Sequence, residues 1–209
     1  MSLTRSRDPF LQALDSLRLR AEQGAFGAGQ PVIIIEEARR LRLSATPVRE
    51  ALAWMAGAGL VERAPLGGYV SVSMDAAGLR DALAFRLHCL RLSLETVEVF
   101  PSAPPEADAG APAVLRTRLE RLVESGGSAA VLDAYRRVSA RLARFAVAEA
   151  RVFEDVAAEA EGLAERFDDG DVEGLWSALS IYHHRRMDAA PLLVLEAGTP
   201  PPDGTEDRR

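Results

Sequence analysis

Few residues in this chain can do covalent or metal chemistry. There are three histidines, His88, His183 and His184, and one cysteine, Cys89. A lone cysteine excludes an intrachain disulfide and a cysteine-based zinc cluster, and Cys89 falls in a helical pattern where burial is expected. His183 and His184 are adjacent, and neighbouring side chains on a helix point about 100° apart, so the pair does not converge on one ion. No Ser/His/Asp or Cys/His spacing and no phosphate-binding glycine loop accompanies them. The expectation is a protein that is not an enzyme, with no cofactor and no metal site.

Charge chemistry is plentiful. All 25 basic residues are arginine, whose planar fork grips a carboxylate, a phosphate or a guanine edge through two parallel hydrogen bonds. They are unevenly spread. Residues 1–74 hold nine Arg against seven Asp and Glu, a balance of +2, and the remainder holds sixteen against twenty-four, a balance of -8. The overall charge of -6 excludes a protein that coats nucleic acid over its whole surface, but it leaves a local basic footprint in the front third.

With 209 residues, 48% hydrophobic and 27% charged, the chain has core enough for two small soluble domains. Its longest wholly aliphatic run, Val32 to Ile35, is far below the roughly 20 residues of a membrane span. The first residues alternate polar and apolar at helical period and lack the unbroken apolar stretch of a signal peptide. A cytoplasmic location with no membrane partner is expected.

The elements that must position the arginines centre on Leu43 to Val70. The pattern predicts a helix opened by Thr46-Pro47, with Thr46 as cap and Pro47 at the first helical position. It stops at Gly59 and is followed by two short strands around a glycine tip. Val48, Ala51, Leu52 and Met55 make the packed face, while Arg49 and Ala53 fall on another side. Upstream, Asp8 or Pro9 to Gln23 reads as a helix with Phe10, Leu14, Leu17 and Ala21 on one stripe, ended by Gly24. Val32 to Leu41 reads as a second helix, although its four β-branched residues can draw its start into an extended piece. Arg39, Arg40 and Arg42 close that helix. They either satisfy the negative end of its dipole in solvent or set positive charge beside the following helix.

Helix, helix, turn, helix and a two-stranded wing make a winged helix-turn-helix. The stretch SATPVREALAWMAGAGLVERAPLGGYV, with TPVREAL followed by GLVER, resembles the signature of the GntR superfamily of bacterial transcription factors, over roughly residues 8 to 73. The resemblance implies DNA-binding roles residue by residue. Ser44 and Thr46 match positions that hold phosphates at the helix start, where free N–H groups and the dipole favour an anion; simple capping is the other reading. Arg49 matches the recognition-helix arginine directed at bases or phosphates, against a salt bridge to Glu50 or a neighbour. Gly68 matches the wing-tip glycine that enters the minor groove. Arg63 follows a backbone phosphate or decorates the wing strand, and Arg39 and Arg40 add charge nearby.

Departures from the family pattern are equally specific. Ala45 and Ala53 stand where basic or polar residues are usual, and Leu66-Gly67-Gly68 lacks the frequent wing arginine. Every phosphate that goes ungripped lowers affinity and flattens the salt dependence by about one counterion, so weaker binding or an unusual operator is expected. Trp54, usually polar in the family, is expected to pack on a linker helix or a partner subunit.

Behind this head, Leu79, Leu83, Leu87, Leu90, Leu94 and Val97 mark a long amphipathic helix from Asp75 to Phe100. Residues 102 to 113 read as a mobile connection. Helical patterns follow at about 113–125, 128–150, 151–168 and 171–195, and a tail from 197 to 209 is expected to be disordered. The expected fold is mainly α, a winged helix over 1–74 and an all-helical domain over 75–196.

The helical part more loosely resembles the FCD class, whose bundle binds small carboxylates, often through a metal held by one Asp and three His. The resemblance rests on LRDALAFRL, LDAYRR, EAEGLAERFDDGD and SIYHHRR. Where that class has ligating residues this chain has Tyr135-Arg136, Glu159-Ala160 and Tyr182, so the metal site is dismantled. What the resemblance leaves is a cavity lined by Arg86, Tyr135, Arg136, Tyr182 and His183, in which two arginines hold a carboxylate. The other reading is that these groups satisfy one another, or acidic neighbours such as Glu159, without any ligand. The functional expectation is a homodimeric DNA-binding transcription regulator, a repressor acting on a palindromic duplex and responsive to a small carboxylate. A protein-interaction module using Trp54, Leu66 and Tyr69 is the alternative.

Overall fold

The computed structural model describes residues 8–97, 100, 110–126 and 128–198. The chain forms two compact units, with the division between Ser73 and Met74; the short segment Ala143–Ala146, and the chain from Ala197 to Gly198, group with the first.

The first unit opens with α1, Pro9–Glu22, capped by Asp8, whose carboxylate accepts from the Phe10 N–H at 2.9 Å. Proline at the first position needs no partner for a missing N–H. Gly24, at φ +70, ends the helix, with its own N–H on the Ala21 carbonyl and that of Ala25 on Arg20. The β-branched run divides as its composition allows: β1 is Pro31–Val32, and α2 begins at Ile34 and runs to Leu41. The wing therefore has a third strand. β1 pairs with β3, Tyr69–Ser71, which pairs on its other side with β2, Val61–Arg63, all antiparallel in the order β1-β3-β2. Val32 faces Tyr69, and Glu62 faces Val70.

Between α2 and the wing lies α3, Ala45–Gly57. Its boundary corrects the sequence reading. Ser44, in extended backbone at φ -73 and ψ 166, is the N-cap rather than Thr46, so Thr46 and Pro47 occupy the second and third helical positions. Proline is tolerated there because the first-turn N–H groups have no intrahelical partner. The C-terminus closes as expected. Gly59 adopts φ +73, and the N–H groups of Gly59 and Leu60 return to the carbonyls of Ala56 and Met55, the paired bonds of a left-handed helix stop. Val48, Ala51, Leu52 and Met55 have no exposed surface and pack with Ala13, Leu14 and Leu17 of α1. Trimming Leu52 to Ala would cost about 2–5 kcal/mol.

The second unit is all helical. α4 spans Ala76–Leu94, with Asp75 capping through the Gly78 N–H at 2.7 Å. α5 is Ala111–Ser125, α6 Ala129–Leu142, α7 Ala146–Val152, α8 Val156–Asp169, α9 Val172–Asp188 and α10 Ala190–Gly198. Leu87, Leu90 and Leu94 of α4 share a core with Leu115, Leu119 and Leu122 of α5, Leu163 and Phe167 of α8, and Leu175 and Leu179 of α9.

Several boundaries differ from expectation, and α4 stops at Leu94, short of the expected Phe100. Pro112, read as part of a connection, sits in the first turn of α5, a position where it starts a helix. The pattern read as one helix over 128–150 is broken by a 3₁₀ turn at Ala143–Phe145. The pattern over 171–195 is divided at Ala189, because Pro191 lacks the N–H that would continue the ladder to Met187; the Met187 carbonyl accepts from a backbone N–H at the helix end and from Arg80 Nε at 3.1 Å. α10 carries the chain through Gly198. The expected connection up to residue 109, and the expected tail from 199 onward, lie outside the described residues.

Candidate nucleic-acid interface and a buried polar cluster

α3 packs on one side and is open on the other. Thr46, Arg49, Glu50 and Gly57 are exposed and Ala53 is half-buried, opposite the Val48, Ala51, Leu52 and Met55 face. Arg49 and Glu50 are consecutive and so splay about 100° apart. Neither makes an ion pair among the described residues. Ser44 is exposed and its side chain makes no cap hydrogen bond, which leaves the first-turn N–H groups of α3 without a side-chain cap.

The neighbouring arginines divide. Arg39, in the last turn of α2, is exposed. Arg42 ends the helix in left-handed backbone at φ 55, the conformation usually given to glycine. Arg40 is committed inward: its Nε reaches Glu37 Oε2 at 2.9 Å and its Nη2 reaches the Ser16 hydroxyl at 2.9 Å. Glu37 is buried, and Arg20 approaches it at 3.3 Å from the other side. Arg40 is thus a partner of a buried carboxylate, which requires its partners.

At the wing, Arg63 is exposed on β2. Pro65 starts a tight turn in which the Gly67 N–H returns to the Ala64 carbonyl at 2.9 Å and the Ala64 N–H to Gly68 at 3.1 Å. Gly67 and Gly68 take φ +94 and +82, backbone that a β-carbon strains. Leu66 projects completely into solvent. Trp54 is 47% exposed, with the Arg18 guanidinium 5.7 Å from its ring centre.

In the helical unit, Arg86, Tyr135, Tyr182 and His183 do come together. His183 has no exposed surface. Its Nδ1 lies 2.7 Å from the Leu179 carbonyl, and its Nε2 lies 3.1 Å from Arg86 Nε. Both partners define the tautomer: Nδ1 carries the proton and donates, and Nε2 accepts. Burial first, and the Arg86 charge second, hold the His183 pKa well below 6.5. Tyr135 is buried too, and desolvation pushes its hydroxyl up to about 12, against the opposing pull of Arg86. Arg86 also lies 6.0 Å from the Tyr182 ring centre.

Arg136 does not join them. Its side chain is half exposed and binds Glu120 at 2.6 Å, so the expected two-arginine cradle for a carboxylate is not formed. The arginine that sequence reasoning missed is Arg186, which has no exposed surface. Its Nε donates to Glu149 Oε2 at 2.8 Å and its Nη1 to the Tyr182 carbonyl at 3.1 Å. Its Nη2 lies 2.8 Å from Glu159 Oε2, a close ion pair whose N–H is not aligned for a hydrogen bond. The guanidinium carbon sits 3.4 Å from the Tyr182 ring centre. Desolvation pulls the Arg186 pKa down, but Tyr182, Glu149 and Glu159 together outweigh it and leave the guanidinium more firmly charged than usual. Beside it, Arg185 forks onto Asp155 at 2.6 and 3.0 Å and reaches Glu159 at 3.3 Å. Leu175, Leu179, His183 and Arg186 form the buried stripe of α9, and that spacing was the available signal for Arg186. His184 faces solvent. Among the described residues no group of three or more His, Cys, Asp or Glu is arranged to hold a metal ion.

No family model and no curated protein matches the sequence. Solved structures do match by fold. E. coli McbR/YncC superposes with a TM-score of 0.62 at 16% identity, covering 88% of this chain and 97% of that one. A transcriptional regulator GntR from Rhodococcus sp. RHA1 gives 0.65 at 15% identity, with 87% and 96% covered. Lar, described as controlling the expression of the Listeria monocytogenes agr system, gives 0.50 at 11% identity, with 93% and 98% covered. The chain shares the fold of these structures, a winged helix and a helical domain, along most of its length. No helix of the described residues is long and apolar enough to cross a membrane.

Proposed function

We propose that this protein is a sequence-specific DNA-binding transcription regulator of the GntR type, acting as a repressor from a palindromic operator. One observation carries the reading: α3 turns Arg49, free of any ion pair among the described residues, and an uncapped N-terminus away from its core. An unpaired guanidinium beside open N–H groups suits a guanine edge and its flanking phosphate. Ser44, Thr46, Arg39 and Arg63, all exposed, supply phosphate contacts, and the Gly68 backbone approaches the duplex at the wing. The solved structures that share this fold include one named as a transcriptional regulator.

A homodimer supplies the two-fold symmetry that a palindrome requires. Phe85, His88 and Leu92 on the open side of α4, and Ile181 and His184 on that of α9, offer an apolar surface suited to it. Any small-carboxylate response centres on Arg86, which among the described residues has no acidic partner. The test is equilibrium binding to duplexes selected from a random pool: an enriched palindrome bound by two chains supports the reading, and binding indifferent to sequence contradicts it. A second reading, a protein-interaction module, is favoured by the exposed Leu66 and by Trp54 at 47% exposure. It predicts association with protein that is insensitive to salt, where phosphate binding weakens steeply.

A further inference from the structure

Glu50 lies on the outward face of α3, with Thr46 one turn before it and Ala53 and Gly57 after it. The usual reasons for an acid on a helix are missing. Glu50 is beyond the first turn, where a carboxylate complements the dipole. Its i-4 and i+4 neighbours are Thr46 and Trp54, so no helical ion pair forms. It is exposed and makes no salt bridge among the described residues. If α3 enters a groove, this carboxylate approaches phosphates that repel it, and only a donor on a base edge offsets that. In the major groove such donors are cytosine N4 and adenine N6. Adenine sets its N7 acceptor beside N6, opposite the second carboxylate oxygen, whereas cytosine sets a C–H beside N4.

We infer that Glu50 is a specificity-determining residue: its carboxylate accepts a hydrogen bond from the N4 amino group of a cytosine in each half-site, next to the position read by Arg49. The small side chains of Ala53 and Gly57 leave room for the helix to come close to the bases. The inference rests on the DNA-binding reading above and adds a base preference to it.

The test selects bound duplexes from one random pool with the full chain, Glu50→Ala and Glu50→Gln in parallel. The wild type is expected to enrich a cytosine at one position per half-site. Glu50→Ala is expected to lose the preference there by about tenfold, the low end of a good base contact, and to keep the rest of the motif. Glu50→Gln is expected to move the preference to adenine, the base whose N6 and N7 glutamine matches. Identical motifs from all three proteins overturn the inference and leave DNA binding intact. No motif from the folded wild type overturns both.

Discussion

Arg86 donates its Nε–H to Nε2 of His183 across 3.1 Å, inside a helical bundle where His183 has no contact with solvent. A cation that donates to an imidazole requires that imidazole to be neutral. The bond therefore links the stability of the domain to pH.

His183 is held neutral in the native state, its pKa pushed well below 6.5 by burial and by Arg86, while the unfolded chain takes up a proton near the ordinary value of about 6.5. The depressed native pKa makes this contribution complete above that value. It is lost as pH falls, with a limiting slope of about 1.4 kcal/mol per unit for one proton. Between pH 7 and pH 5, urea unfolding should show falling stability, by at most about 2 kcal/mol for one proton. His183→Gln should flatten that dependence. An equal slope in the variant would assign the proton uptake to another group.

Much of the fold follows from local signals. The helix stops at Gly24 and Gly59, the wing glycines and the α3 core face are visible because glycine and apolar spacing act within a turn or two. The third strand is legible only as a conflict, four β-branched residues at the start of a helical pattern, which the β3 edge resolves. The buried cluster is half legible. The sequence brings Arg86, Tyr135, Tyr182 and His183 together but points to Arg136 in place of Arg186. Arginine on an apolar stripe reads as a fault in the pattern until its partners, Glu149 and Glu159, are brought from two other helices.

Arg186 is the charge on which that cluster depends. Removing one partner of a buried ion pair leaves Glu149 uncompensated and Glu159 with Arg185 alone, so Arg186→Met should destabilise the chain by about 3–5 kcal/mol. Adding Glu149→Gln should recover part of this, since only Glu159 then remains charged beside it. Thermal unfolding of the single and double variants checks the coupling; strictly additive losses would deny it.

Arg39 and Arg40 are adjacent but should fail differently. Arg40→Ala removes a partner of buried Glu37 and should lower stability by about 1–3 kcal/mol. Arg39→Ala should leave the melting curve in place and reduce the salt slope of DNA binding by about one counterion. Paired melting and binding titrations separate the two.

Arg49→Ala should keep the fold, because the side chain is exposed and makes no ion pair among the described residues. It should reduce affinity for the selected duplex by about 10- to 100-fold, the range of one good base contact, and compress the difference between selected and random DNA. Unchanged discrimination would remove Arg49 from the base-reading face.

The central claim is that the open face of α3 reads DNA. The most direct measurement is the affinity of the folded full chain for the duplex enriched from a random pool, titrated between about 50 and 300 mM salt against a scrambled duplex. A steep linear fall of log affinity with log salt, with the enriched duplex held at least tenfold more tightly throughout, is the predicted result. Equal affinity for both duplexes, or no binding at low salt, would contradict the account.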